Sequence, residues 1–393
     1  VTNFVDECTA CPSGKLTQGL GATSAGECNV CEQGSFWGDV TIEHRELIYS
    51  NPEPEGTTTL WFGSTSHTNS PTPVGPASDT RFEGLNAMAV HPSLNQVIVA
   101  DRFGSDFKLL DLDSEFSTRV SFGSKPYGAC YNNEGTKIYL TGQKRIDVYT
   151  IASNSKSDFL VEPYMWGNGG RKYNVYGCAV SNDENLAFKS EWSLHEVPID
   201  SPTSKTDTEL ACYSEGNPVY SSDGTQIYYA CRNSGQIYAY DRQAQTHSVF
   251  AGSLQTDSDA GGSATSAQFH EPHGLSLTQD GKSMYVAAEH SILRINMNLD
   301  PTDSNFVELV QADLTGSTSN TVKNVHLVHN QYLLVATRYS VYRYSLGDIE
   351  SVTYSTEQQC KACSTGITTA SSGATSADEC SVCAKGYIPS SVP

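Results

Sequence analysis

A short apolar run recurs through the middle of the chain: Val97-Ile98-Val99, Ile138-Tyr139-Leu140, Leu186-Ala187-Phe188, Ile227-Tyr228-Tyr229, Met284-Tyr285-Val286 and Leu333-Leu334-Val335. A pattern returning every ~40–60 residues specifies repeated structural units. The runs are apolar at consecutive positions, so both faces of each strand must be covered. A sheet sandwiched between two neighbours meets that demand.

Each run is followed by another strand pattern, at Phe107–Leu112, Ile146–Tyr149, Leu194–Ile199, Ile237–Tyr240, Ile292–Ile295 and Val341–Tyr344. Each is preceded by one near Ala87–Val90, Gly128–Tyr131, Gly177–Val180, Pro218–Tyr220, Gly274–Leu277 and Val325–Val328. Glu134-Gly135, Asp223-Gly224 and Asp280-Gly281 supply turn chemistry between the first two strands of their units. Fourth strands are expected at Arg119–Phe122, Phe159–Val161, Leu210–Tyr213, Ser248–Ala251 and Val307–Gln311, with further candidates at Thr59–Phe62 and Val352–Tyr354. Four-stranded sheets repeated radially predict an all-β fold, a six-bladed β-propeller, with Thr59–Phe62 completing the last blade and closing the ring. No segment sustains the helical period that a coiled coil or helical solenoid requires.

The best-formed unit runs through Val249-Phe250-Ala251-Gly252, Ala267-Gln268-Phe269, Pro272-His273-Gly274-Leu275, Asp280-Gly281 and Met284-Tyr285-Val286-Ala287. It resembles an NHL-type propeller blade. The other units match loosely, through Pro126-Tyr127-Gly128, Val175-Tyr176-Gly177 and Val99-Ala100-Asp101.

The two ends carry one cysteine pattern twice. Cys8-Thr9-Ala10-Cys11 and Cys28-Asn29-Val30-Cys31 return as Cys360-Lys361-Ala362-Cys363 and Cys380-Ser381-Val382-Cys383, and each copy contains Gly-Ala-Thr-Ser-Ala. This divides the chain into 1–38, 39–356 and 357–393: module, propeller, module. Paired Cys-x2-Cys knuckles also fit a four-cysteine zinc site. The spacer, however, is small and polar, cannot bury a core of its own, and so calls for covalent staples, which favours disulfides over zinc. Cys-x2-Cys-Pro-x-Gly-x-x-Thr, Gly-Ala-Thr-Ser and the second Cys-x2-Cys resemble the ephrin-receptor-like (tumour-necrosis-receptor-like) cysteine-rich module. That resemblance implies crossed pairs, Cys8–Cys28 with Cys11–Cys31 and Cys360–Cys380 with Cys363–Cys383. It also implies the role of a spacer or stalk.

Twelve cysteines point to an oxidising compartment, and hence to an extracellular, secreted or cell-surface protein. The other four read either as buried free thiols, since Cys packs as a small hydrophobe, or as the pairs Cys130–Cys178 and Cys212–Cys231, the reading that an oxidising compartment favours. The chain begins at Val1, almost inside a module, and reads as a piece of a longer polypeptide. Lys and Arg number 24 against 44 Asp and Glu, net −20, a balance that repels nucleic-acid phosphates. No apolar stretch approaches the roughly 18 residues needed to cross a bilayer, so no direct membrane insertion is expected in this segment. There is no Asn-x-Ser/Thr sequon, since Asn69-Ser70-Pro71 and Asn320-Thr321-Val322 both fail; sugars are expected to be O-linked on the Ser/Thr-rich loops.

Aligning the blades on the Pro-x-Gly position brings Asn86, Tyr127, Tyr176, Gly216, His273 and Lys323 to one rim of the central channel. This ring holds one histidine and no carboxylate, too few ligands for a zinc or calcium ion, so no metal or other cofactor is expected. His273 reads as a turn or hydrogen-bonding residue. His326 and His329 have an odd offset that points them to opposite faces of a strand. Asp101, Asp111 and Asp113 read as solvated turns. No hydrolase, phosphate-binding or dinucleotide motif is present. The expectation is a non-enzymatic extracellular assembly protein, a filament subunit that associates with itself or with other surface proteins. The combination of modules and propeller resembles the proteins of protist surface fibres and flagellar hairs, the mastigonemes. The alternative is a ligand-binding or adhesive receptor ectodomain, and the third a propeller hydrolase or lyase.

Overall fold

The structure, a computed structural model, describes residues 15–16, 30–31, 35–49, 53–64, 74–161, 174–190, 192–202, 206–210, 212–213, 215–254, 257–314, 320–328, 331–346, 349–362, 367–369, 372 and 382–383. They fall into two compact units, one from Tyr49 to Ile349 and one built from both chain ends. The first is an all-β, six-bladed propeller.

Blade 1 is Leu85–Val90, Gln96–Asp101, Asp106–Asp111 and Phe116–Ser121; blade 2 is Pro126–Tyr131, Lys137–Gly142, Arg145–Thr150 and Ser155–Val161. Blade 3 is Gly177–Val180, Asn185–Lys189, Ser193–Pro198 and Thr206–Glu209; blade 4 is Val219–Tyr220, Gln226–Cys231, Gln236–Asp241 and Thr246–Ala251. Blade 5 is Leu275–Leu277, Ser283–Ala287, Ile292–Asn296 and Val307–Gln311. Blade 6 takes Val322–Val328, Tyr332–Thr337 and Ser340–Ser345 from the end of the propeller segment and its outer strand, Thr58–Gly63, from the beginning. That last pairing is antiparallel, with Val341 opposite Phe62 and Tyr344 opposite Thr58.

Local chemistry explains the hairpins. Turns starting at Asn132, Ser221 and Thr278 close on Gly135, Gly224 and Gly281, whose N–H groups return to the first residue's carbonyl at 3.0, 2.9 and 2.9 Å. The glycines have φ of 72°, 71° and 70°, a left-handed conformation that side chains rarely adopt. The first residue's side chain then accepts the next strand's leading N–H: Asn132 from Lys137 (2.8 Å), Ser221 from Gln226 (2.9 Å) and Thr278 from Ser283 (3.0 Å).

The core sits between blades. Phe107, Phe122, Ile138 and Leu140 form one cluster between blades 1 and 2, and Tyr139, Ile146, Leu186, Phe188 and Val197 another between blades 2 and 3. Further clusters follow between blades 3 and 4, 4 and 5, and 5 and 6. Phe62, Phe82, Leu85, Val97, Leu334 and Val341 fill the last interface, between blades 6 and 1. Two disulfides reinforce the ring: Cys130–Cys178 joins the inner strands of blades 2 and 3, and Cys212–Cys231 ties the approach to blade 4 to its second strand, with Cα separations of 5.6 and 5.7 Å.

Two expected outer strands lie elsewhere. In blade 3 the ladder uses Thr206–Glu209 rather than Leu210–Tyr213. Leu210 and Cys212 are buried, at 4% and 2% exposure, and fill the apolar cluster between blades 3 and 4, while the polar residues before them take the solvent-facing edge. Val352–Tyr354 lies within Ile349–Ala362, which pairs with Ser35–Tyr49 outside the blades.

In the other unit the repeated sequence gives a repeated ladder. Lys15 pairs with Cys31 and Leu16 with Val30, and in the second copy Ile367 pairs with Cys383 and Thr368 with Val382. The cysteine pairings expected for these modules lie outside the described residues.

The closing strand makes a quantitative prediction. Phe62 is fully buried although it is distant in sequence from the blade it completes. Phe62→Ala should therefore cost about 3–5 kcal/mol of unfolding free energy, as for a phenylalanine inside a blade. Denaturant titration checks this, and a loss below about 1 kcal/mol would show the ring to be stable without its closure.

Candidate functional site

The inner strands crowd together where they begin. A Cβ on Gly128 would lie 2.6 Å from Gly177 Cα, and one on Gly274 would lie 2.8 Å from Asn324 Cα. These glycines bring neighbouring strands side by side, and the residues flanking them ring the mouth of the axial channel. Asn86 Nδ2 donates to the Tyr127 carbonyl at 2.7 Å. The Tyr127 and Tyr176 rings lie 4.9 Å apart between centroids. Gly216, with φ of 81°, packs on the His273 backbone, and His273 Nε2 lies 3.3 Å from Lys323 Nζ.

The ring itself has no carboxylate, but Glu215, the neighbour of Gly216, supplies one. It is 7% exposed, and its Oε2 lies 3.8 Å from His273 Nδ1. Tyr213 Oη donates to Glu215 Oε1 at 2.6 Å, and Lys189 Nζ donates to the Glu215 carbonyl at 3.1 Å. Arg232 bridges two carboxylates, with Nη1 3.3 Å from Glu215 Oε2 and Nε donating to Glu271 at 2.9 Å. Sequence alignment of inner strands misses these groups because they come from other elements. Lys189 ends the second strand of blade 3, Arg232 follows the second strand of blade 4, and Tyr213 and Glu215 lie on the connection between those blades. The second-strand ends would have revealed Lys189 and Arg232, since Arg102 and Arg338 follow theirs in the same way, whereas Tyr213 and Glu215 have no such signal.

Burial governs protonation here. Removal from water pushes the Lys189 ammonium down to about 7, partly opposed by Glu215. Desolvation, then Arg232, lowers Lys323 to about 8. His273 falls well below its ordinary value through burial and then through Lys323, Arg232 and Lys189. Its imidazole is thus neutral, and the 3.8 Å approach to Glu215 is a dipolar contact rather than an ion pair. Tyr213 is held strongly protonated by burial and by its bond to Glu215.

Cations near the axis make this mouth unsuited to a metal ion, and among the described residues no group of three or more His, Cys, Asp or Glu converges. The same cations suit an anion. Around them stands an aromatic rim. Phe103 and Trp192 are 50% and 43% exposed; Arg102 lies 5.6 Å over Phe103 and 4.8 Å over Tyr127, and Trp192 is 6.1 Å from Tyr213. Farther along the axis Asn217 Nδ2 donates to the carbonyls of Met88 (3.1 Å) and Ala129 (3.2 Å), reaching across to blades 1 and 2.

Asp101 departs from its expected role as a solvated turn. It is fully buried, 2.5 Å from Lys108 Nζ, and accepts the Gly84 N–H at 2.9 Å. Asp111 and Asp113 do serve turns and exposed loops, through Ser114 and Asn95. His326 is partly buried beside the Leu327 carbonyl, and His329 lies outside the described residues.

Buried Lys189 gives stability a defined pH dependence. Its value in the unfolded chain is near 10.5 and in the fold about 7, so between these limits the unfolded state holds more protons and stability rises with pH. Below about 7 the full cost is present. Lys189→Met should raise the melting temperature at pH 6, by an amount that shrinks to nothing as pH approaches 10.5. Scanning calorimetry across that range checks it; a gain independent of pH would refute the assignment.

No protein-family model and no curated protein matches the sequence. Solved structures share the fold. A protein of unknown function from Bacteroides thetaiotaomicron has 16% identity and a TM-score of 0.62, covering 77% of this chain and 76% of that one. An auxiliary nutrient binding protein from Bacteroides ovatus has 12% identity and a TM-score of 0.56, covering 77% and 78%. A luciferin-regenerating enzyme has 13% identity and a TM-score of 0.53, covering 70% and 96%. At such identities the likeness establishes architecture alone, and binding proteins and enzymes both occur on it. The unit from Tyr49 to Ile349 is a six-bladed β-propeller.

Proposed function

We propose that this propeller is an extracellular binding module whose mouth, where the inner strands begin, takes an anionic ligand. The carrying observation is that a buried lysine, Lys189, a partly buried one, Lys323, and Arg232 cluster around Glu215 and His273 in a chain with net charge −20. Buried cations are costly unless something compensates them. Glu215 and Glu271 engage Arg232, and both lysines are shifted toward their neutral forms. A carboxylate or sulfate on the ligand would complete the compensation, and the aromatic rim of Phe103 and Trp192 would pack its apolar part. The two disulfides are consistent with an extracellular location, and a nutrient-binding protein stands among the structural neighbours.

Titration calorimetry with citrate and with sulfate tests this reading. Binding should take up protons and should be tightest below pH 7, weakening by about tenfold or more as pH rises through 8 and the lysines lose their charge. Lys323→Met and Arg232→Met should each abolish it. Affinity that does not vary with pH, or no binding of either anion, would refute the proposal.

One observation favours a second reading, assembly into a surface filament. The two modules repeat the same ladder register, Lys15 with Cys31 and Ile367 with Cys383, and so give the chain two equivalent ends. Sedimentation should then show association that grows with concentration and is lost on reduction of the module cysteines. A monomer at every concentration would eliminate it.

A further inference from the structure

The opposite end of the channel, where the inner strands finish, is built differently. Two cavity lobes of about 500 and 350 Å³ share Ala179, Asn182, Val219 and His326. Each is within the size range of small-molecule sites, ~300–1,000 Å³. Among the described residues neither lobe is lined by Asp, Glu, Lys or Arg, and His326 is the one titratable imidazole shared by both. The wall is apolar at Ala179, Val219 and Leu275, and the rim carries the amides of Asn133, Asn182 and Gln279 with the hydroxyls of Ser222 and Thr278.

Among the described residues, two that line the 350 Å³ lobe and are 7% exposed carry a buried polar atom with no hydrogen-bond partner: Tyr131 Oη, and Asn217 Oδ1, which lies beside Gly177. The orientation of the Asn217 amide is fixed, because its Nδ2 is committed to the Met88 and Ala129 carbonyls. Oδ1 is therefore the atom left to accept. A buried polar group left without a hydrogen bond gains from any partner that can reach it.

We infer that this vestibule is a second binding site, for an uncharged, hydroxyl-rich ligand such as a pyranose sugar. Its amides and hydroxyls both donate and accept, as sugar hydroxyls require, and a ligand hydroxyl donating to Asn217 Oδ1 while bonding Tyr131 Oη would satisfy both orphaned atoms. The apolar wall matches the C–H face of a pyranose. The absence of carboxylates, lysines and arginines among the described lining residues distinguishes this site from the cationic mouth, and the two proposals stand or fall separately.

Saturation-transfer NMR on the full chain tests it, with glucose, galactose, mannose and lactose as probes and glucosamine, which the cationic mouth would repel, as the charged counterpart. At least one neutral sugar should give transfer at about 10 mM, ahead of glucosamine. Gln279→Trp, a change at an exposed rim position, should remove the signal while leaving the melting temperature unchanged, which separates blockage from misfolding. Tyr131→Phe, which deletes only the hydroxyl, should weaken binding by about tenfold. No transfer from any neutral sugar, equal transfer from a charged one, or an undiminished signal in Gln279→Trp would each overturn the inference.

Discussion

Apolar burial in this propeller belongs to pairs of blades. Phe107 and Phe122 of blade 1 pack with Ile138 and Leu140 of blade 2, and the same arrangement passes round the ring until Phe62 and Val341 meet Leu85 and Val97. A single blade would expose apolar residues on both faces, which explains why the second strands are apolar at consecutive positions. Six interfaces must form together, and the channel is what remains where the inner strands meet.

That geometry also sets the chemistry along the axis. Crowding at Gly128, Gly177 and Gly274 keeps the mouth narrow, so residues that line it are withdrawn from water whatever their type. Lys189 and His273 are at most 3% exposed as a consequence. The fold bears the cost of burying charge, and a bound anion would offset it. Destabilisation of the unliganded state and affinity for the ligand would then have one physical source. At the far end the described lining residues are amides, hydroxyls, His326 and aliphatic side chains, with no carboxylate, lysine or arginine among them.

Most of the fold is legible in the sequence because inter-blade packing writes itself into consecutive apolar residues and glycine turns. Ile138-Tyr139-Leu140 and Glu134-Gly135 identify their hairpin without further information. Blade 3 shows the limit. Leu210 looks like a strand residue by composition, yet it serves the neighbouring cluster, and the actual edge strand, Thr206–Glu209, is polar. The site divides in the same way. His273 and Lys323 were recoverable because both sit at a position defined by the inner-strand repeat. Lys189, Arg232 and Glu215 come from hairpin ends and connections, where nothing in the packing constrains residue type. Asp101 illustrates the converse: a charged residue beside Gly104 reads as an exposed turn, and only Lys108 and the Gly84 N–H, reached through pairing with other strands, make burial tolerable.

The strand Thr58–Gly63 has a consequence for the order of events during synthesis. Ser64 and Ser340, which are hydrogen-bonded in the finished ring, lie 276 residues apart. At ~5–20 residues per second, the first waits on the order of 14–55 s for the second to be made. Over that interval Phe62 has no cavity to fill and the growing sheet array has two open edges. Successive blades can stack as they emerge, but the ring cannot close until the sixth is complete, so closure by these long-range contacts is the slow, late step of folding.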